Sequence, residues 1–280
     1  MVAMHNADPV LIVLDSDMGN PQAVPVAGSR AAVFSGRCPV VFDDDPHNED
    51  AALVVGRGDH AVLGVADGLG GVQDGEQASK ITVETIVAAV QDGPHEHCLR
   101  DAIQRAVEVA NETLLGLESG ASTTLVVAEI YDRTVRPYHV GDSALLVVAA
   151  DGTVKAETVP HSPVGYALAA GLLDEREAMY HQDRHLVSNV VGAPDMRVEI
   201  GRPIALEDGD TVLLATDGFL DNMHVSELAE IVRTGDPLAA LERLVAVART
   251  RMLEPVQGRP SKPDDHTAVL WRPAMPASDE

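Results

Sequence analysis

Three aspartates stand beside apolar runs that read as β-strands, far apart in a chain of 280 residues. Asp67 follows LGVA and precedes Gly68, Asp217 follows VLLAT and precedes Gly218, and Asp264 precedes the run Thr267 to Trp271. A carboxylate just past a buried strand sits on a rigid element at the rim of a sheet. Three carboxylates drawn from distant sequence repel one another at close range, so a shared site requires a cation. Hard oxygen donors select Mg²⁺ or Mn²⁺. No HExxH pattern and no cysteine cluster points to zinc. Taken singly, each Asp-Gly also reads as an ordinary turn.

The elements that must carry these residues are legible in outline. Ala51 to Gly56 and Ala61 to Ala66 read as strands with little alternation, as expected of strands buried on both faces. Helical spacing covers Gly75 to Val90 and Leu99 to Leu115. Strands follow at Thr123 to Ile130, Val135 to Val140 and Ala144 to Val148, then a short helix at Leu173 to Tyr180. Arg197 to Ile200 and Thr211 to Ala215 read as strands, Val225 to Arg233 and Pro237 to Arg251 as helices, and Thr267 to Trp271 as the last strand. Segregated strands and helices predict an α+β layered fold. The expected organisation is a single domain over 46–272, an N-terminal extension over 1–45 with an edge strand at Val10 to Leu14, another strand near Ala31 to Phe34, and a disordered tail over 273–280.

Composition narrows the partners. The net charge of −24 repels nucleic-acid phosphate and anionic membranes. Aromatic residues make up 3% of the chain, so Val, Leu, Ile and Ala must fill the core. Cys38 and Cys98 have neither metal-type spacing nor a disulfide framework. The apolar run Val10 to Leu14 is too short for a signal or a membrane span and lacks a basic start. A cytoplasmic protein is expected, with no nucleic-acid or membrane partner.

The ordered set NEDA (48–51), ADGLGG (66–71), GASTTLVV (120–127), VGDSALL (140–146), ATDGFLDNM (215–223) and PDDHTAVL (263–270) resembles the metal-dependent serine/threonine protein phosphatases of type 2C, in their bacterial form. The segment His161 to Gly192 resembles the flap region of bacterial members. Each piece is weak alone, and their order along the chain makes the set specific. The resemblance implies a four-layer α-β-β-α sandwich with two central antiparallel sheets flanked by helices. It also implies a dinuclear Mg²⁺ or Mn²⁺ centre in which Asp67 bridges two metals, the Gly68 carbonyl binds one, and Asp217 and Asp264 complete the other. Glu49 and Asp50 would hold metal-bound waters, and Asp142 and Asp221 match a third, weaker metal site. A turn role for Asp142 and a helix cap for Asp221 are the competing readings. Ser143 has no His or Asp spacing that would make it a nucleophile.

Many members of the family carry an arginine three residues before the NED triplet to grip phosphate. Asp45 stands there in this chain, which leaves Arg37 or Arg30 for the role. Leu69 occupies a position where some members have a histidine, so a leaving-group donor would come from His47, His161, His185 or a bound water. The implied activity is hydrolysis of phosphoserine and phosphothreonine in proteins that are kinase targets or regulatory proteins. The alternatives are a non-catalytic phosphoprotein-binding member of the fold and a hydrolase of another phosphate ester. No nucleotide-binding loop supports the last.

Overall fold

The computed structural model describes residues 10–14, 16–40, 47–70, 72–92 and 99–274. The chain begins with β1 (Val10–Leu14), β2 (Gln22–Val26), β3 (Ser29–Gly36), β4 (Asp50–Arg57) and β5 (His60–Leu69), then α1 (Val72–Asp92) and α2 (Arg100–Leu117). Next come β6 (Ser122–Thr123), β7 (Leu125–Tyr131), β8 (Thr134–Val140), β9 (Ala144–Val148) and β10 (Val154–Glu157). Two short helices, α3 (Pro163–Ala169) and α4 (Glu175–Met179), precede β11 (Glu199–Ile200), β12 (Ile204–Ala205) and β13 (Thr211–Ala215). The single turn α5 (Asp217–Leu220), then α6 (Val225–Val232), α7 (Pro237–Leu253) and β14 (His266–Arg272), complete the order.

The strands form two antiparallel sheets. One runs β1-β4-β5-β7-β8-β11, with β6 beside β5 and β12 beside β8. The other runs β10-β9-β13-β14-β3-β2. Because successive side chains on a strand point to opposite faces, each central strand feeds two cores. In β4, Ala51, Leu53 and Val55 pack under α1 and α2, while Ala52 and Val54 meet the opposing sheet. In β14, Ala268 and Leu270 pack under α6 and α7, while Val269 and Trp271 enter the layer between the sheets. Helix, sheet, sheet and helix are therefore stacked as expected, with apolar contact at all three boundaries. Covering both faces explains why these strands read as continuous apolar runs.

The segment read as an N-terminal extension is part of this architecture. Val10–Leu14 is an edge strand on β4, as expected. Ser29–Gly36, however, lies inside the second sheet between β14 and β2, with Ala31 to Gly36 buried. The second sheet therefore spans the boundary expected at residue 45. The tail beyond residue 274 is outside the described residues.

Candidate metal centre

Strand register delivers the first aspartates. Pairing of β4 with β5 sets Asp50 opposite Asp67. Asp67 lies within β5, which continues to Leu69, and not just past its end as expected. Its amide donates to Thr124 Oγ1 at 3.1 Å, and its carbonyl accepts from the Thr124 amide and the Thr123 hydroxyl, both at 2.8 Å. The opposing sheet supplies the rest. Asp217 opens α5 directly after β13, and Asp264 lies two residues before β14, the neighbour of β13. Asp142 sits between β8 and β9, where Thr124 Oγ1 is 2.7 Å from Ser143 Oγ.

The two Asp-Gly pairs are not interchangeable with turn residues. A Cβ on Gly68 would fall 2.2 Å from the Gly75 carbonyl oxygen, and one on Gly218 would fall 1.9 Å from the Asp265 carbonyl oxygen. Neither glycine has a positive φ, so close backbone approach excludes a side chain at both positions.

Asp67, Asp142, Asp217, Asp264, Asp265 and Glu49 surround a cavity of about 140 Å³ that Gly68, Lys262 and His185 also line. Burial, with repulsion from Asp217 and Asp50, holds the Asp67 carboxyl well above its ordinary range. Burial and Asp217 push Asp264 up to about 7, and burial with Asp217 and Asp221 pushes Asp142 up to about 7. Lys262 Nζ contacts Asp217 Oδ2 and lies 3.1 Å from Asp221 Oδ2 and 3.0 Å from Asp264 Oδ2. Burial works against the ammonium charge, yet Asp217, Asp264 and Asp221 together hold its pKa above the ordinary lysine value. One lysine does not balance so many acids, and Asp217 Oδ1 is buried with no hydrogen-bond partner among the described residues. Carboxylate oxygens with an uncompensated charge and an open acceptor fit hard divalent cations.

Glu49 lines the cavity, and its amide donates to Asp265 Oδ2 at 2.9 Å. Asp50 lies behind it, where its Oδ2 accepts from the Thr216 hydroxyl at 2.9 Å. Asp221 ends α5 and does not cap α6, whose N-cap is His224. Arg37 is adjacent to Cys38, whose amide donates to Asp265 Oδ1 at 2.7 Å, and Arg37 pairs with Asp17 at 3.6 Å. Arg30 is not brought to the site. It pairs with Arg272 at the far end of β3, whereas Gly36 pairs with His266 beside the acids. Position 45 lies outside the described residues. Of the three histidines, His185 lines the cavity, His47 pairs with Glu76 at 3.1 Å, and His161 is buried elsewhere. The sequence reading missed Lys262, Asp265 and Thr216. The signals available were the doubled acid in PDDH and a lysine two residues before it, in a chain with only three lysines.

His139, His161 and Glu199 form a second group with ligand atoms within 4.8 Å of one another. Hydrogen bonding fixes its tautomers. His161 Nδ1 accepts from the Gly141 amide at 3.1 Å and from Asn189 Nδ2 at 2.8 Å, so Nε2 carries the proton facing Glu199 Oε2 at 3.2 Å. His139 Nε2 donates to the Val159 carbonyl at 3.0 Å. A cation there would have to displace the His161 proton. The group instead ties the chain near Gly141 to the segment after His161.

The family model for protein phosphatase 2C matches residues 42–252. Protein phosphatase PhpP of Streptococcus pneumoniae is 31% identical over 193 residues, covering 66% of this chain and 78% of that protein. The crystal structure of the PPM Ser-Thr phosphatase MsPP from Mycobacterium smegmatis, in complex with cacodylate, is 26% identical with a TM-score of 0.71, covering 87% of this chain and 98% of that one. The catalytic domain of the serine threonine protein phosphatase PstP, in complex with two manganese ions, is similar in fold at 23% identity and a TM-score of 0.69, covering 86% and 96% of the two chains. The chain belongs to the protein phosphatase 2C family, and by that membership it is a protein serine/threonine phosphatase. Among the described residues, no helix is long and apolar enough to cross a membrane.

Proposed function

We propose that the enzyme hydrolyses phosphoserine and phosphothreonine in proteins, using two Mg²⁺ or Mn²⁺ ions held by Asp67, the Gly68 carbonyl, Asp217 and Asp264. The observation that carries this reading is the gathering of acids from both sheets around one cavity, with Asp67 and Asp264 held above their ordinary carboxylate range. Bound there, the ions would supply a water ionised near neutral pH and offset charge on the phosphoryl group. The chain supplies the positioning. Threonines 123 and 124 fix the backbone of Asp67, and close packing at Gly68 and Gly218 fixes the main chain beside both aspartates. Asp142 and Asp221 provide a further, weaker cation site, and Glu49 and Asp50 orient water at its edge. His185, at the cavity wall, donates a proton to the departing seryl or threonyl oxygen. Arg37, beside Cys38 at the Asp265 edge, is the better placed of the two arginines to grip phosphate.

A second cavity of about 130 Å³, also lined by Asp221, shares Asp142 and Asp217 with the first. Val164, Leu168, Met179 and Leu220 give it an apolar wall suited to residues flanking a phosphorylated side chain. Such a substrate is the product of a serine/threonine kinase, whose action the enzyme would reverse. The test is phosphate release from a phosphothreonine peptide with added Mn²⁺. The rate should exceed that on a small phosphate ester and fall by about a hundredfold or more in Asp217→Asn. Tight peptide binding without phosphate release, with Mn²⁺ present, would favour a non-catalytic binding protein.

A further inference from the structure

The cation already inside the cluster is the feature that the activity leaves unexplained. Lysine is rare in this chain, occurring only at positions 80, 155 and 262. Lys262 reaches Asp217, Asp221 and Asp264 at once. Its backbone is bolted in place: the amide donates to Asn222 Oδ1 at 2.9 Å, and the carbonyl accepts from Asn222 Nδ2 at 2.7 Å. Asn222 is fully buried and also donates to the Gly218 carbonyl at 2.8 Å. The residue that anchors Lys262 therefore also anchors the Asp217-Gly218 turn. Pro263 follows and restricts the backbone of Lys262. A solvent-facing lysine would need none of these supports.

We propose that Lys262 is a resident counter-ion of the metal centre. In the metal-free enzyme its ammonium holds Asp217, Asp221 and Asp264 together, and an incoming divalent cation must displace it from Asp217 and Asp264. This rests on the reading of those aspartates as metal-binding. Its consequences are a metal-free state that keeps its acids gathered, and a cation affinity lower than the same acids would otherwise give. A flexible four-carbon stem lets the ammonium swing aside while the backbone stays clamped by Asn222.

Two measurements on the full chain decide it. Calorimetric titration with Mg²⁺ should give an affinity about tenfold or more higher in Lys262→Gln than in the wild type, because a unit positive charge has left the site. In wild-type protein labelled with ¹⁵N-lysine, one of the three side-chain ammonium signals should move as Mg²⁺ is added. The second readout needs no substitution, so it stands even if the variant folds poorly. Equal or weaker Mg²⁺ affinity in the variant, or wild-type protein that binds Mg²⁺ with all three signals unmoved, overturns the counter-ion role and leaves the metal site standing. Absence of Mg²⁺ binding in both proteins overturns the metal site and the counter-ion role together.

Discussion

A carboxylate removed from water needs either a proton or a positive partner. Asp217 illustrates the point: one oxygen meets Lys262, and the other is buried without a hydrogen-bond partner among the described residues. The residues that make this arrangement possible are small and specific. Gly218→Ala would place a methyl group against the Asp265 backbone, a contact that only movement of main chain relieves. It is expected to cost about 1–3 kcal/mol or more in unfolding experiments and to weaken Mg²⁺ binding. Thr216 acts by hydrogen bonding, since its hydroxyl donates to Asp50 and accepts from the Thr267 amide at 3.0 Å. Thr216→Val leaves both groups unmatched in a buried position and should lower stability by about 1–3 kcal/mol, seen as a lower denaturant midpoint at unchanged slope. Asp67, Asp217 and Asp264 were legible because each lies beside an apolar run, two of them followed by glycine. Lys262 and Asp265 were not, because their roles depend on where a side chain is aimed, and contacts with Asn222 and Cys38 set that aim.

At the scale of elements, a buried polar chain holds the sheets in register beneath the acids. Asn48 donates to Ser35 at 2.9 Å, Thr267 donates to Ser35 at 2.8 Å, and Thr216 joins Thr267 to Asp50. These residues lie on or beside β3, β4, β13 and β14, so the network crosses from one sheet to the other. Helix α7 supports the outer face through Leu241 and Leu244, both fully buried. Leu244→Ala should cost about 2–5 kcal/mol in stability, with residual activity tracking the folded fraction.

A pH-sensitive contact lies between β8 and the chain entering α3. Burial, then His161, lowers the His139 pKa from its ordinary 6.5. The unfolded chain therefore takes up the proton first, so the stability from neutral His139 is present above pH 6.5 and is lost on acidification below it. Glu199, also facing the pair, opposes this in part. In His139→Asn, the loss of stability between pH 7.5 and 5.5 should be smaller than in the wild type by thermal denaturation. Unbroken apolar runs marked β9 and β13, which have the expected ends, and helical spacing marked α6 and α7, which begin where expected. Helix α3 was not, although Ser162 caps it and Pro163 opens it. Seven residues containing Gly165 are too short to show a period, and that glycine is set by its approach to the Pro160 carbonyl at 2.4 Å from an ideal Cβ.

For the molecule as a whole, a net charge of −24 and a buried acid cluster act in one direction. Both favour uptake of cations and disfavour the compact state without them. Saturation with a divalent ion at a hundred times its dissociation constant should stabilise the fold by about 2.7 kcal/mol per site, and chelation should reverse it. Stacking of two sheets between helices explains how acids from β4, β5, the start of α5 and the approach to β14 come to face one another. No single segment of sequence contains that information. The four-layer order came from the resemblance, whereas strand and helix segregation was visible in the chain itself.

The placement of cations among the aspartates is decided by anomalous diffraction from crystals soaked in Mn²⁺. Manganese peaks are expected in the cavity between Asp67, Asp217 and Asp264, with the Lys262 ammonium withdrawn from Asp217. Manganese bound only at His139, His161 and Glu199, or no peak among the aspartates at saturating Mn²⁺, would contradict that placement.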